Sequence, residues 1–236
     1  MYADGLTKDN FKENYLNALM TRATYASLTV EEKGLNFSNE ENAAKVYNNL
    51  VAMKKILEIT DRNLSPYDIV DIANIINKGV SNIPEGFRRV EGIIRGSSME
   101  IESPYYIREA MYSLFNNYYR IWDLLPIYER EALFHREFLR IHPFEDGNGR
   151  TARIITNYNL IMNNKAPIII PKEDRKKYFK MIEFNKIDEL TKYFQKKSEE
   201  EFEVMLDLYQ KNYNGDFNDE LSDDDVKIYI MNKMRK

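Results

Sequence analysis

The chain has 236 residues, of which 43% are hydrophobic and 31% charged, so we expect a globular protein with one domain, or one domain and an appendage. It contains no cysteine, which excludes disulfides, thiolate nucleophiles and cysteine-based metal sites. The net charge of −4 and the scattered basic residues argue against nucleic acid as a partner.

The N-terminal segment, residues 1–13, is polar and lacks the apolar core of an ordinary signal peptide. No apolar run anywhere in the chain approaches the length of a membrane span. We therefore expect a cytoplasmic protein that makes no membrane contact.

Apolar residues recur at helical spacing along most of the chain, which predicts a mainly α fold, a helical bundle. A capping box is predicted at Ser65 and Asp68, with Pro66 at the first helical position. A further helix is predicted from Asp174, and the last forty residues look like two helices. The other helices are predicted over residues 8–26, about 24–34, 40–59, 66–78, 104–124 and 127–141.

Residues 84–104 differ from the rest of the chain. Glycines, β-branched residues and short alternation of apolar and polar positions predict a small β-hairpin here. It is the one convincing β-structure that the sequence predicts. A plain surface hairpin is the alternative to a functional one.

A dense group of reactive side chains begins at His142, one of only two histidines. A histidine pKa near 6.5 suits proton abstraction around neutral pH. Asp146, four residues on, can provide oxygen ligands to a divalent cation. The other histidine, His135, lies seven residues before His142, which is not a metal-ligand spacing, so we expect a structural role for it.

An anion site is predicted immediately after Asp146. Gly147 and Gly149 can adopt positive φ and bring backbone N–H groups close to an anion. The helix predicted to follow, residues 151–162, would direct its positive N-terminal end at the same anion. Arg150 and Arg153 share one helix face and can both reach a phosphate, so a polyphosphate is the expected ligand. Each feature alone has an ordinary structural explanation, but their order within twelve residues favours function.

Residues 142–153 resemble the signature of the Fic family at every fixed position: His, any, Phe, any, Asp or Glu, Gly-Asn-Gly-Arg, any, any, Arg. The resemblance implies a Fic fold and a nucleotidyltransferase that moves AMP from ATP to a Tyr, Thr or Ser hydroxyl of a target protein (AMPylation). It also implies Mg²⁺ as cofactor. By this resemblance we expect an N-terminal helical region at 1–62, a Fic core at 63–195 and a C-terminal helical extension at 196–236.

The resemblance assigns a role to each residue of the motif. His142 would be the general base on the target hydroxyl, Asp146 would hold Mg²⁺, and Phe144 would anchor the loop by packing. The residues expected to bind the nucleotide phosphates are Gly147, Asn148, Gly149, Arg150 and Arg153.

Some Fic proteins carry an inhibitory helix with Ser or Thr, three residues, Glu, then Gly or Asn. Ser27 and Glu31 fit the first part of this pattern, whereas Glu32 stands where Gly or Asn is usual. By the resemblance, Glu31 would pair with Arg153 and hold ATP unproductively. The alternative is that Ser27 and Glu31 are ordinary surface residues.

Two further assignments rest on the resemblance. The hairpin would be the Fic flap, which aligns a target segment by strand pairing, and its expected positioning residues are Ile93, Ile94, Arg95 and Gly96. Tyr178, in an Arg-x-x-Tyr helix, is a candidate for the wall of the adenine pocket, and a core position is an equal alternative.

Several alternatives stay open at the level of sequence. The nucleotide could be UTP or GTP, or the enzyme could also remove AMP with Glu31 assisting water. The protein could instead be a catalytically silent nucleotide sensor that binds a partner, or a nucleotide hydrolase with no protein target, which would not need the flap. Gly149 stands where a phosphorylating branch of the family carries Lys, which favours nucleotidyl transfer. Self-modification and a homodimer are reasonable expectations from the family.

Overall fold

The computed structural model describes residues 11–31, 40–60, 62–80, 83–94 and 96–212, with side chains from Tyr15 to Leu208 within these ranges. As predicted, this part of the chain is mainly α-helical. A π-helical turn, Asn117–Ile121, follows α4, and a 3-10 turn, Lys172–Asp174, precedes α7. The eight α-helices of the described ranges are α1 Phe11–Glu31, α2 Glu40–Leu57, α3 Pro66–Asn77, α4 Ile107–Asn116, α5 Ile127–Ile141, α6 Asn148–Met162, α7 Arg175–Glu183 and α8 Ile187–Asn212.

Helix α6 is the centre of the bundle. Nearly all of its residues are buried, and α1, α2, α3 and α5 pack around it. A helix buried on every side is usually apolar, yet α6 buries polar residues such as Arg150, Arg153 and Thr156. Buried polar groups need hydrogen-bond partners, so the elements around α6 must supply them. None of the described helices is both long and apolar enough to cross a membrane.

Several helix boundaries follow from local sequence. The predicted capping box is present at α3, where Ser65 Oγ accepts from the Asp68 N–H at 3.4 Å and Asp68 Oδ2 accepts from the Ser65 N–H at 2.7 Å. Helix α5 ends where His142 takes the left-handed conformation, with φ 49° and ψ 58°. The helices predicted over 40–59, 66–78 and 127–141 are confirmed to within two residues at each end.

The predicted helix boundaries were wrong in two places. The first two predicted helices form one continuous helix up to Glu31, because no Gly or Pro interrupts α1, and Leu28 and Val30 are buried along its last turns. Residues 32–34 of the predicted inhibitory helix lie outside the described ranges. The helix predicted over 104–124 begins at Ile107 and changes to π-helical geometry at Asn117.

The C-terminal part of the fold is one long helix. Helix α8 runs without a break through residues 195 and 196, where the end of the core was expected. It therefore includes the first of the two helices predicted for the last forty residues. The second lies outside the described residues.

The hairpin predicted at 84–104 stays a prediction, since the described residues of this segment form no regular strand. The chain does fold back on itself: the Ser97 N–H donates to the Ile94 carbonyl at 3.1 Å, and Gly92 lies opposite the Ile101 side chain. A two-stranded ladder is marginally stable alone in water, so extended arms without a ladder are physically reasonable.

Candidate active site

The loop between α5 and α6 is fixed at its two ends by backbone conformation and in its middle by a buried aromatic ring. The His142 N–H donates to the Phe138 carbonyl at 3.0 Å, and Gly147 enters α6 with φ 80°. Phe144 is buried between the rings of Phe87 and Phe138, at centroid distances of 5.8 and 6.3 Å. Phe144 is therefore the packing anchor that was predicted.

Asn148 closes this loop through its side chain. Its Oδ1 accepts from the Phe144 N–H at 3.0 Å, and its Nδ2 donates to the Phe144 carbonyl at 2.7 Å. Both functional groups of the amide are thus used inside the loop. Asn148 shapes the loop with its side chain, and its backbone N–H is one of the first N–H groups of α6, which have no partner within the helix.

His142 lies in a partly buried position that favours its neutral form. Burial is the largest effect and lowers its pKa, and the Leu139 carbonyl opposes burial; the charge of Arg88 lowers the pKa as well, while Asp146 and Glu31 raise it. The Leu139 carbonyl faces the ring, although the buried Nδ1 makes no hydrogen bond of ordinary geometry to any described residue. The ring is therefore ready to accept a proton near neutral pH.

Asp146 stands at the mouth of the site. Its Oδ2 accepts from Arg150 Nη2 at 2.8 Å, and its side chain is 47% exposed. The end of α3 supports this pair, because Asn77 Nδ2 donates to the Asp146 carbonyl at 2.9 Å and Asn77 Oδ1 lies 3.4 Å from Arg150 Nη2. An exposed carboxylate beside an anion site fits an oxygen ligand of Mg²⁺ on phosphates.

A carboxylate occupies the start of α6. No described side chain caps this N-terminus, but a Cβ added to Gly149 would overlap Oε1 of Glu31. The same carboxylate has its Oε2 3.7 Å from Nε of Arg150, which is 2% exposed. Glu31 thus places a negative charge where the helix dipole, the first N–H groups and a buried guanidinium converge.

Arg153 binds the last turns of α1 with three bonds. Its Nε donates to Ser27 Oγ at 2.8 Å, and its Nη2 donates to the Ser27 carbonyl at 3.0 Å and to Glu31 Oε1 at 2.5 Å. Nη1 is buried and has no partner among the described residues. An unpaired buried N–H group of an arginine is a donor available to a phosphate oxygen.

A buried polar pair supports Arg153 from the core side. His135 and Tyr178 are fully buried, and His135 contacts Thr156 Oγ1 through Nδ1 at 2.9 Å and the Tyr178 hydroxyl through Nε2 at 2.6 Å. Burial lowers the pKa of His135 to about 3 and raises the pKa of Tyr178 to about 12, so both stay neutral. The expected structural role of His135 is confirmed. Tyr178 sits in the core with its hydroxyl turned to His135, and its contact with adenine stays a prediction.

The predicted flap residues that the structure describes are only partly packed. Ile93 is 84% exposed, Ile94 is half-buried, and Gly96 has φ 77° in the turn. Arg95 lies outside the described residues. The far arm is attached to α7, because Ser98 donates to Glu183 Oε1 from its N–H at 2.6 Å and from its hydroxyl at 2.8 Å.

Three residues of the site were missed by the sequence reasoning: Asn77, Arg88 and Arg175. Asn77 holds Asp146 and Arg150, and Arg88 donates to the His142 carbonyl at 2.7 Å. Arg175, at the start of α7, donates to the last carbonyls of α1, those of Val30 and Glu31. Each contact joins residues more than fifty positions apart, so no local pattern could have identified it.

Comparisons with known proteins agree with this arrangement. The sequence profile of the Fic/DOC family matches residues 63–160. A probable protein adenylyltransferase of Aquifex aeolicus is 27% identical over 184 residues, covering 70% of this chain and 55% of that protein. Protein adenylyltransferase Fic of Drosophila erecta is 30% identical over 171 residues, covering 70% of this chain and 33% of that protein. The chain thus spans about half or less of the length of these relatives.

Solved structures show the same fold. A Fic domain containing signaling protein from Bacteroides thetaiotaomicron superposes with a TM-score of 0.77 at 19% identity, covering 89% of this chain and 94% of that one. Fic-1 from C. elegans gives a TM-score of 0.71 at 19% identity, covering 86% of this chain and 67% of that one. The profile match includes the loop from His142 to Gly147 and most of α6, and the chain therefore contains a Fic/DOC family domain at residues 63–160.

Proposed function

We propose that this protein is a protein adenylyltransferase, which transfers AMP from ATP to a Tyr, Thr or Ser hydroxyl of a target protein and of itself. The names of its relatives support the class of reaction. The observation that carries the proposal is the Glu31 carboxylate, which is held between two buried arginines at the uncapped start of α6. An internal anion in that position indicates a site built for a larger anion.

His142 acts on the target hydroxyl. Since its Nδ1 is buried, Nε2 is the ring nitrogen that can reach a substrate. The imidazole accepts the hydroxyl proton while the hydroxyl oxygen forms a bond to the α-phosphorus of ATP. The bond from that phosphorus to the bridging oxygen breaks, and pyrophosphate leaves. A base of this kind contributes about 10²–10⁴-fold to the rate.

The phosphates bind at the start of α6. The N–H groups of Asn148 and Gly149 and the guanidinium groups of Arg150 and Arg153 supply the positive field, which is strongest where water is excluded. Asp146 would hold Mg²⁺, which when bound would neutralise charge on the phosphates. Tyr178 supports Arg153 from the core side of this site.

Glu31 inhibits the enzyme by occupying this positive field. A carboxylate on Arg153 blocks the outermost phosphate and leaves ATP, if bound, in an unproductive position. Ser27 adds two bonds to the same arginine, so the whole last turn of α1 belongs to the inhibitory device. Residues 1–62 are then the regulatory region, 63–195 the catalytic core and 196–236 an extension.

The flap binds and aligns the target segment. Ile93, Ile94 and Gly96 lie at the turn of a segment whose described residues form no ladder with each other, so the flap offers backbone groups to an extended target segment. Backbone pairing positions a hydroxyl with little demand on the target sequence. A second copy of this chain is one such target, in a homodimer or in a transient encounter.

Intact-protein mass spectrometry after incubation with Mg²⁺ and ATP, or with UTP, tests this function. We expect one or more AMP additions on Glu31→Gly, weak labelling of the wild type, and none on Glu31→Gly with His142→Ala. Glu58→Gly, at an exposed glutamate, is the matched control and should behave as the wild type.

Each outcome separates the parts of the proposal. Equal labelling of wild type and Glu31→Gly would retain the enzyme and refute the inhibition. Labelling with UTP and not with ATP would show that UTP is the nucleotide substrate. Absence of labelling on every variant, together with ATP binding by calorimetry and no labelled protein in a lysate, would favour the silent sensor.

A further inference from the structure

Arg88 is a buried arginine outside the sequence motif, and all of its guanidinium nitrogens donate to backbone carbonyls. It is 4% exposed. Its Nε donates to the His142 carbonyl at 2.7 Å, its Nη1 to the Val90 carbonyl at 2.9 Å, and its Nη2 to the Glu102 carbonyl. Nη2 also lies 3.5 Å from the Ile141 carbonyl. Burial lowers the pKa of Arg88, while Glu91 and Glu102 oppose that shift.

These four carbonyls belong to two structures that the proposed reaction must align. Those of Ile141 and His142 terminate α5, where the last carbonyls of a helix are left without partners and carry partial negative charge. Those of Val90 and Glu102 flank the central part of the flap, residues 91–101 of the segment 84–104. One planar guanidinium, with donors in a fixed fork, therefore joins both arms of the flap to the residue proposed as the base.

The backbone around Arg88 reinforces this junction. The N–H of Arg88 donates to the Pro143 carbonyl at 2.9 Å, directly after His142. The Glu102 N–H donates to the Arg140 carbonyl at 3.2 Å, and the two side chains form an ion pair at 3.1 Å. The base of the flap is thus attached to the end of α5 on both of its arms, with Arg88 between them.

We propose that Arg88 is a positioning residue that sets the register between the target-aligning flap and His142. This inference rests on the proposed function, because it assigns the flap to the target and His142 to proton transfer. The guanidinium of Arg88 contacts backbone carbonyls at the base of the flap and at the end of α5. It fixes the distance between the flap backbone and the imidazole, and a displacement of about 1 Å in such a geometry costs about 10²-fold in rate.

The charge of Arg88 gives this role an independent signature. The charged or titratable groups that act on the His142 ring are Arg88, Asp146 and Glu31, with the Leu139 carbonyl as the nearest polar backbone group. Arg88 is the cation of this set, so its removal raises the pKa of His142. The chain has two histidines, and the pKa of buried His135 is about 3, so an imidazole signal that titrates above that range belongs to His142.

The test uses Arg88→Met and Arg88→Lys in the full chain, with Arg89→Met as the matched control at the exposed neighbouring arginine. Proton NMR of the imidazoles gives the pKa of His142, and amide hydrogen exchange gives the protection of residues 91–101. In the Glu31→Gly background, transfer is measured as kcat and as KM for ATP.

We expect Arg88→Met to raise the pKa of His142, to increase amide exchange in the flap and to lower kcat by about 10–100-fold, with the KM for ATP unchanged within twofold. Arg88→Lys keeps the charge and loses the fork, so it should keep the pKa of His142 and still lose kcat and flap protection. Arg89→Met should change none of these.

Wild-type values of the His142 titration and of flap exchange in Arg88→Met would overturn the inference, whatever the effect on stability. If Arg88→Met does not fold, Arg88→Lys decides it, since wild-type kcat and flap exchange in that variant would overturn it. The titration and the exchange measurement need no turnover. Absence of AMP transfer by Glu31→Gly, both to itself and to any protein of a lysate, would therefore refute the proposed function and leave the coupling by Arg88 to be judged separately.

Discussion

Replacement of Glu31 by Gln tests the anion site by thermodynamics rather than by catalysis. The substitution keeps the shape of the side chain and removes the charge that Arg153 contacts at 2.5 Å. Arg153 is almost completely buried, and the Glu31 side chain is 24% exposed. Breaking a buried pair costs about 3–5 kcal/mol, and an exposed pair contributes under about 1 kcal/mol. For this mostly buried pair, with Glu31 partly exposed, we expect an intermediate loss of about 1–3 kcal/mol.

The loss is measurable by thermal unfolding. In a chain of this size each 1 kcal/mol lowers Tm by about 2–4 °C. The control is Glu58→Gln, which removes the charge of a 65% exposed glutamate paired with Lys55 at 2.9 Å. That substitution should change the free energy of unfolding by no more than about 0.5 kcal/mol.

ATP with Mg²⁺ should reverse the effect. In Glu31→Gln the phosphates supply the negative charge that the arginines have lost, while in the wild type they compete with the carboxylate. A ligand at a hundredfold excess over its Kd stabilises the folded state by about 2.7 kcal/mol, and each tenfold gain in affinity adds about 1.4 kcal/mol. The rise in Tm on adding ATP should therefore be larger in Glu31→Gln than in the wild type. Equal Tm values without nucleotide, together with equal shifts with ATP, would refute the placement of Glu31 in the phosphate site.

Two further predictions concern stability. Gly147→Ala should lower the free energy of unfolding by about 1–3 kcal/mol in urea, because φ is 80° and the added Cβ would lie 2.9 Å from Asn77 Oδ1. Gly79→Ala, with φ 68° and no atom within 4 Å, isolates the backbone strain and should cost less, so equal losses would contradict the contact. Burial raises the pKa of Glu131 from 4.5 to about 8, so the folded state binds this proton more tightly than the unfolded state. The resulting stabilisation is complete below pH 4.5 and is lost as pH rises towards 8. His135, with its pKa lowered from 6.5 to about 3, has the opposite effect on stability below pH 6.5. The free energy of unfolding should therefore fall between pH 6.5 and 8, at up to about 1.4 kcal/mol per pH unit, and this fall should be absent in Glu131→Gln. The same fall in both proteins would contradict the assignment.

The sequence by itself predicted those features that depend on neighbours along the chain. The capping box at Ser65 and the bounds of α5 follow from interactions over three or four residues. The residues from His142 to Arg153 carry their chemistry within one loop and one helical turn, so their order alone indicated an anion site. The contact between Glu31 and Arg153, expected from the family resemblance, is present, and its inhibitory role is a proposal.

Only the tertiary structure decided how distant segments complete the site. The bond from Arg153 to Glu31 spans 122 residues, and that from Arg88 to the His142 carbonyl spans 54. Helical spacing alone is compatible with either a surface or a core position for Tyr178. The sequence therefore could not predict that the Tyr178 hydroxyl faces His135. The flap shows the same limit, since its sequence favours strands, but a strand needs a partner with which to pair. Local propensity selects the elements, and burial together with the need to satisfy buried polar groups determines which elements meet.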